Sequence, residues 1–376
     1  MHKILTIFGT RPEIIRLSCI IQKLDKFFNH KCVNTGQNFN VNLNDVFFKD
    51  LNLRPPDYDL KIKSLNASDF LSKLFVKIDR ILEIENPDAV LILGDTNSAL
   101  SSICAKKRKI PIFHIEAGNR CWDQRVPEEV NRKIVDHISD INMTYSSYAS
   151  ENLILEGIAK DRIVKVGSPL NEVYNFYKSK IDSSEILEKL NLTSNNYILA
   201  SIHRAENLDS KKYFNIIFDS LDSLQKKLNL PIVFSAHPGT QKKIKEYEIK
   251  VSKKILLKEP FGYLDYVKMM KHAKLIISDS GSITEESSIL SLPSINLRSS
   301  NERQEGMENG TVIMTGLDKN SILHSAKIVL DKRKNNIFKQ PIYSDYSNLN
   351  VSDTVVAILQ SYTSYIKNKN YPEPEI

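Results

Sequence analysis

The sequence is poor in the features that announce several protein classes. It has four cysteines, Cys19, Cys32, Cys104 and Cys121. None stands in a C-x-x-C pair, so zinc and dithiol redox motifs have no support and no metal site is expected. The first three lie in apolar contexts and read as buried thiols, which suits a reducing compartment. No apolar stretch approaches the roughly 18 residues of a membrane-spanning helix. The chain also turns polar too soon after Phe8 to read as a secretory leader. The expectation is a cytoplasmic protein without a membrane partner. No G-x-G-x-x-G occurs, which argues against a nicotinamide or flavin held on that fingerprint, and no Walker motif occurs either. There is no solenoid-type repeat and no low-complexity tract. The formal charge of +7 is spread along the chain. Stretches such as "KKIKEYEIKVSKK" read as solvated faces. This balance suits a small anionic substrate and gives no ground for nucleic acid.

What is present is length and alternation. With 376 residues, 41% hydrophobic and 26% charged, the chain can form about two domains, each with its own core. Short apolar strands alternate with amphipathic helices. The first series of strands is Ile4–Phe8, Cys32–Asn34, Ala89–Leu93, Ile112–Ile115 and Ile163–Val166. The second is Tyr197–Ser201, Ile232–Ser235, Ile255–Leu257, Leu275–Ser278 and Ser294–Leu297. Helices fall between them; residues 70–82 place Leu71, Leu74, Phe75, Ile78 and Leu82 on one face. The class is α/β, with two doubly wound, Rossmann-like domains of parallel sheet. The join falls near "VGSPLNEV", which divides the chain into residues 1–168 and 169–376. A last amphipathic helix, about 353–367, is a candidate to pack back on the first domain.

In such sheets ligands bind beyond the carboxyl ends of the strands, so the site is expected in a cleft between the domains. Polar residues do gather at strand ends. After the first strand comes "GTRPE". Gly9 permits a tight turn and Pro12 suits the first helical position. Arg11 adds a cationic fork at a helix N-terminus, with Arg16 about a turn on. Asp95 follows the third strand and Glu116 the fourth. A carboxylate directly after a buried strand is desolvated, a condition proton transfer uses. "EAGNRCWDQRVPEEVNR" then supplies Arg120, Glu128 and Glu129. Either of the two glutamates can instead be a cap favoured by the helix dipole.

The second series mirrors the first. "IHRAEN" carries His203, Arg204 and Glu206. "HPGT" carries His237, which is as compatible with packing as with a ligand. Phe261 can stack on a base or simply pack. "DSGSITEES" places Ser280, Gly281 and Ser282 in a small-residue turn that can hold a pyrophosphate on backbone amides. Of Glu285 and Glu286 one can cap and the other can accept ribose hydroxyls. "SSNERQEG" adds Arg303. Carboxylates on one domain, and an anion cradle with a histidine on the other, fit a nucleoside diphosphate sugar.

The motifs "FGTRPEIIR", "TGQN", "GDTNS", "HIEAGNR", "VPEEVNR", "VGSP", "HRAEN", "HP", "SDSGSITEES" and "ERQEG" run in this order from residue 8 to 306. Together they closely resemble the non-hydrolysing UDP-N-acetylglucosamine 2-epimerases. The resemblance implies the GT-B type of two-domain fold, usually a homodimer, and a reaction that uses no redox cofactor. The substrate it implies is a UDP-N-acetylated amino sugar, whose UDP leaves to give a 2-acetamidoglucal and then adds back. It implies acid/base roles for Asp95, Glu116 and Glu128, with His203 beside the diphosphate or sugar. Arg11 would contact phosphate, Ser280, Gly281 and Ser282 the pyrophosphate, and Glu286 the ribose. Arg16, Arg120, Arg204, His237, Phe261 and Arg303 complete the expected substrate contacts.

Three departures stand out. "EAGNRC" replaces the usual E-A-G-L-R-T, "TGQNFN" replaces T-G-Q-H-R, and "ERQE" replaces E-R-P-E. The first two resemble the branch that makes UDP-N-acetyl-L-fucosamine from UDP-2-acetamido-2,6-dideoxy-L-talose for capsule or O-antigen. Residues 119–123 would meet the altered sugar, with Trp122 as an apolar wall or as plain packing. A UDP-GlcNAc/UDP-ManNAc epimerase is the alternative within the family, and a GT-B glycosyltransferase the alternative outside it.

Overall fold

The computed structural model describes residues 1–37, 48–334 and 342–371. The end of the "TGQNFN" segment, residues 38–40, lies outside them. The chain forms two compact units, residues 1–176 with 344–376, and residues 177–343. The short helix Leu170–Phe176, read from sequence as opening the second domain, therefore closes the first. Its Leu170, Val173 and Tyr174 are buried, and Asn171 Nδ2 donates to the carbonyl of Ser347 at 2.9 Å.

The first unit holds a seven-stranded, all-parallel sheet. Its strands are β1 (Lys3–Phe8), β2 (Asn29–Asn34), β3 (Tyr58–Asp59), β4 (Ala89–Leu93), β5 (Ile112–Ala117), β6 (Ile141–Thr144) and β7 (Ile163–Lys165), in the order β3-β2-β1-β4-β5-β6-β7. β1 and β4 lie at the centre, covered on both faces, which is why β4 is apolar throughout and β1 is apolar apart from Lys3 at its start and the buried Thr6. The helices α1 (Arg11–Phe27) and α2 (Ala67–Glu85) start on side-chain caps. Thr10 and Glu13 make a capping box for α1, and Asn66 accepts from the Asp69 amide for α2. Leu74 and Ile78 from α2 meet Leu5, Ile7, Val90 and Ile92 in one core.

The second unit repeats the plan with six parallel strands. β8 (Ile198–Ser201), β9 (Ile232–Ser235), β10 (Ile255–Lys258), β11 (Leu275–Ser278), β12 (Ser294–Asn296) and β13 (Ile313–Met314) take the order β10-β9-β8-β11-β12-β13. Phe214 and Phe218, from the helix Lys211–Leu228, pack with Phe234 of β9. The Phe218 and Phe234 rings stack at 5.5 Å.

Each sheet reverses its winding at one place, between β1 and β4 in the first unit and between β8 and β11 in the second. Crevices open there beyond the strand ends. The segments Gly9–Arg11 and Gly94–Asp95 follow the first pair. Ile202–Arg204 and Asp279–Ser282 follow the second. Among the described residues no helix is long and apolar enough to cross a membrane.

Candidate active site

In the first unit the amide of Gly94 donates to the carbonyl of Ile115 at 2.9 Å. The next residues along the two segments are Asp95, just past β4, and Glu116, the next-to-last residue of β5, so the two acidic residues stand at the same end of neighbouring strands. Asp95 is half-buried, and Arg132 Nε donates to its Oδ2 at 2.7 Å. Arg132 comes from the helix α3 (Glu128–Ile138), whose Asn131 also donates to the Asp95 carbonyl at 2.9 Å. Glu116 has φ +70°. It sits where the β5–β6 register shifts between Ile115 and Ala117. A glutamate in the left-handed region is strained, and such strain persists where the surroundings hold it. Arg16 Nε lies 3.6 Å from Glu116 Oε2, and the Arg16 guanidinium lies over the Tyr145 ring at 5.5 Å.

The paired glutamates at the start of α3 separate cleanly. Glu129 is fully buried. It takes Arg132 Nη1 at 2.6 Å and the amides of Cys121 and Trp122 at 3.2 and 3.1 Å. Glu128 beside it is half-exposed. Glu129 thus braces the segment 119–123, while Glu128 is only partly buried. Trp122 in that segment has φ +58° and is 52% exposed, with Lys133 over its ring. It does not simply fill the core.

Arg11 is half-buried at the first turn of α1, and desolvation lowers its pKa; a guanidinium stays protonated regardless. Arg120 does not fit its expected substrate contact. It is 0% exposed, with Nη1 shared between Asp136 Oδ2 and the Asn119 carbonyl and its other nitrogens on Glu156. Every face of the guanidinium is occupied, so its work is to close a buried network. Asp136 continues that network to His114 Nδ1 at 2.8 Å, and His114 Nε2 meets the Gly94 carbonyl at 2.9 Å. Despite complete burial the Asp136 carboxyl sits below its ordinary range, because His114 and Arg120 outweigh desolvation.

In the second unit buried Asp279 organises the loop that carries His203. It accepts from the amides of His203 and Arg204 at 3.1 and 2.9 Å and from Asn207 Nδ2 at 2.9 Å. The His203 side chain is 46% exposed, with Nδ1 3.4 Å from Asp279 Oδ1. The turn after β11 packs so closely that a Cβ on Gly281 would lie 2.3 Å from Glu302 Oε1 and 3.0 Å from Arg303 Nη1. Only glycine fits. Ser280 and Ser282 flank it with hydroxyls 2.9 Å apart. Glu302 gathers cations behind this turn, with Arg298 at 2.7 Å, Arg303 at 3.1 Å and Arg204 at 3.7 Å. Arg303 is itself buried and held by Glu285 at 2.8 Å. That pairing commits Glu285 to structure and leaves Glu286 as the other carboxylate of this turn. His237 is exposed at the N-cap of the helix Pro238–Glu246, and Phe261 is half-buried after β10.

Glu13 escapes the sequence reading, and Glu129, Arg132 and Asp279 stand there without a role in the site. Glu13 and Glu129 look like helix-start carboxylates, and Arg132 like one charge on an amphipathic helix. Asp279 looks like a turn former. The available signal was position, since each directly follows or faces a central strand end.

Two doubly wound parallel sheets, each with its polar groups at the winding reversal, define an α/β enzyme of GT-B type. The profile of the family described as UDP-N-acetylglucosamine 2-epimerase matches residues 22–360. A solved UDP-N-acetylglucosamine 2-epimerase from Rickettsia bellii is 44% identical. It aligns over 99% of this chain and 100% of its own with a TM-score of 0.92. The Methanocaldococcus jannaschii UDP-GlcNAc 2-epimerase, solved with UDP-GlcNAc and UDP, is 35% identical. It aligns over 96% of this chain and 99% of its own, with a TM-score of 0.89. A Pseudomonas aeruginosa UDP-2,3-diacetamido-2,3-dideoxy-D-glucuronate 2-epimerase is 32% identical over 88% of this chain and 93% of its own. The chain belongs to the UDP-N-acetylglucosamine 2-epimerase family and is an isomerase.

Proposed function

We propose that this isomerase inverts C2 of a UDP-2-acetamido sugar by eliminating UDP and adding it back. The observation that carries the reading is the pairing of Asp95 and Glu116 on hydrogen-bonded strand ends, each with its own arginine. A C2 proton is weakly acidic, so a positioned base removes it while the C1–O bond breaks and UDP departs. Proton delivery to the opposite face of C2 then needs a second group. Asp95, Glu116 and Glu128 fill these roles. Arg11, Arg16 and His203 offset charge on the departing diphosphate, with Ser280, Gly281 and Ser282 as its cradle. Arg204, Arg303 and His237 support that cradle, Glu286 takes the ribose, and Phe261 takes the uracil face.

The substrate in this proposal is UDP-2-acetamido-2,6-dideoxy-L-talose, converted to UDP-N-acetyl-L-fucosamine for capsule or O-antigen by a cytoplasmic homodimer. The exposed Trp122, on a segment braced by Glu129, supports it, because a 6-deoxy sugar presents a methyl group to an apolar wall. The names of the solved neighbours favour UDP-GlcNAc as the second reading.

Proton NMR in D2O tests both. Deuterium should enter C2 without added NAD, faster from the L-talo sugar than from UDP-GlcNAc. Asp95→Asn and Glu116→Gln should slow exchange by about a hundredfold or more while UDP still binds. Exchange from UDP-GlcNAc alone sinks the fucosamine assignment; no exchange from any UDP-sugar sinks the epimerase.

A further inference from the structure

Glu13 stands at the third position of α1, where a glutamate ordinarily returns one hydrogen bond to the N-cap amide. Here the carboxylate does more. Its Oε2 accepts from the amides of both Gly9 and Thr10, at 2.6 and 2.9 Å. Its Oε1 accepts from the Thr96 hydroxyl at 2.6 Å. Glu13 is 3% exposed. It joins the turn that presents Arg11 to the loop that presents Asp95, across the β1–β4 reversal. The junction has no slack. A Cβ on Gly9 would lie 2.1 Å from Thr35 Oγ1 and 2.2 Å from Ser98 Oγ, two hydroxyls already 2.7 Å apart.

We propose that Glu13 is a positioning residue which locks the Arg11 turn to the Asp95 loop, so that the anion contact and the acid/base group move as one body. The proposal rests on the roles assigned above to Arg11 and Asp95. The lock depends on charge, because a carboxylate accepts all three donors and charge-assisted hydrogen bonds are about twice as strong as neutral ones. Burial, with a smaller push from Asp95, raises the Glu13 carboxyl to about 7. The charged groups in this corner are Asp95 with Arg132 of α3 upon it, and Arg11 and Arg16 on α1 itself, with Glu116 of β5 on Arg16. Protonation puts a hydrogen on one oxygen, reverses or breaks the Thr96 contact and loosens the lock as the pH falls.

Glu13→Gln keeps the shape and removes the charge. Exchange at C2 and UDP affinity by calorimetry are to be followed from pH 5.5 to 9 for both proteins, with folding checked by circular dichroism. Wild-type kcat should rise as the pH passes through about 7. The variant should lack that limb and run about tenfold or more slower at pH 8, since small misplacements of reacting groups carry large rate losses. UDP affinity of the wild type should also change near pH 7 relative to the variant, the ionisation of UDP itself being common to both. A folded Glu13→Gln protein with the wild-type rate and pH profile overturns the proposal. If the wild type exchanges no deuterium, the assigned reaction is wrong. The affinity comparison then decides the lock alone: matching pH dependences overturn it, and a difference centred near pH 7 upholds it.

Discussion

At the scale of single residues, the site is made of carboxylates whose neighbours decide what each one does. Glu128 and Glu129 differ by one position, yet only Glu129 is buried against Arg132. Breaking a buried pair by removing one partner costs about 3–5 kcal/mol. Glu129→Gln should therefore lower the melting temperature, while Glu128→Gln should keep it and lose kcat. A calorimetric scan beside a rate assay separates them, and equal thermal losses would count against the division. Glu13 carries a second signature. Its folded pKa, about 7, exceeds the ordinary 4.5. Below pH 4.5 the carboxyl is protonated whether folded or unfolded. As the pH rises toward 7 the unfolded chain ionises first, so this group's contribution falls by on the order of 3 kcal/mol. Glu13→Gln should flatten the decline in unfolding free energy between about pH 4.5 and 7, read by denaturant titration at each pH. Residue identities at strand ends were legible in the sequence because desolvated charge after an apolar run is rare. Which carboxylate supports and which one is only partly buried was not, since that depends on partners 16 to 83 residues away, as for Arg120 with Asp136 and Thr96 with Glu13.

At the scale of elements, central strands could be read and marginal ones could not. β4 is apolar along its whole length and β1 over all but Lys3 and Thr6, because both faces are covered. β6 alternates Ile141, Asn142, Met143 and Thr144, and its polar residues hid it. Asn142 is nonetheless fully buried, its Nδ2 donating to the Asp136 carbonyl at 3.0 Å. β3 and β13 have two residues each, too few for any periodicity. The segment between β5 and α3 is irregular yet fixed, through Glu129 on two of its amides and Arg120 in the network beneath. Such bracing leaves Trp122 replaceable without loss of the fold, because only its exposed ring changes. Trp122→Ala should keep the wild-type melting temperature and shift the kcat/KM ratio of the L-talo sugar to UDP-GlcNAc by about tenfold toward UDP-GlcNAc, a methyl-sized contact being worth roughly 1–3 kcal/mol. An unchanged ratio, measured by paired initial rates, would remove Trp122 from substrate selection.

At the scale of the whole molecule, the chain crosses from one unit to the other and returns. The last helix, α4 (Val351–Asn370), belongs to the first unit, where it packs along α1. It buries Val351, Val355, Leu359 and Ile366. At about 1.5–3 kcal/mol for each buried side chain, those four contribute roughly as much as the net stability of a domain. The approach to the helix is pinned as well. Asp345 takes the Ser147 amide at 2.9 Å, Asn348 donates to the Val166 carbonyl at 2.8 Å, and Glu172 takes the Ser352 amide at 2.9 Å. Residues 177–343, by contrast, are continuous in sequence and enclose their own core. Residues 177–343 expressed alone should fold cooperatively and bind UDP, since the proposed cradle of Ser280, Gly281 and Ser282 lies entirely within them. Residues 1–176 alone should fail to melt cooperatively, and co-expression with residues 344–376 should restore the transition. Thermal denaturation followed by circular dichroism reads each arm. A cooperative transition from residues 1–176 by themselves would show that the returning helix is dispensable and that strand and helix packing within the first 176 residues suffices.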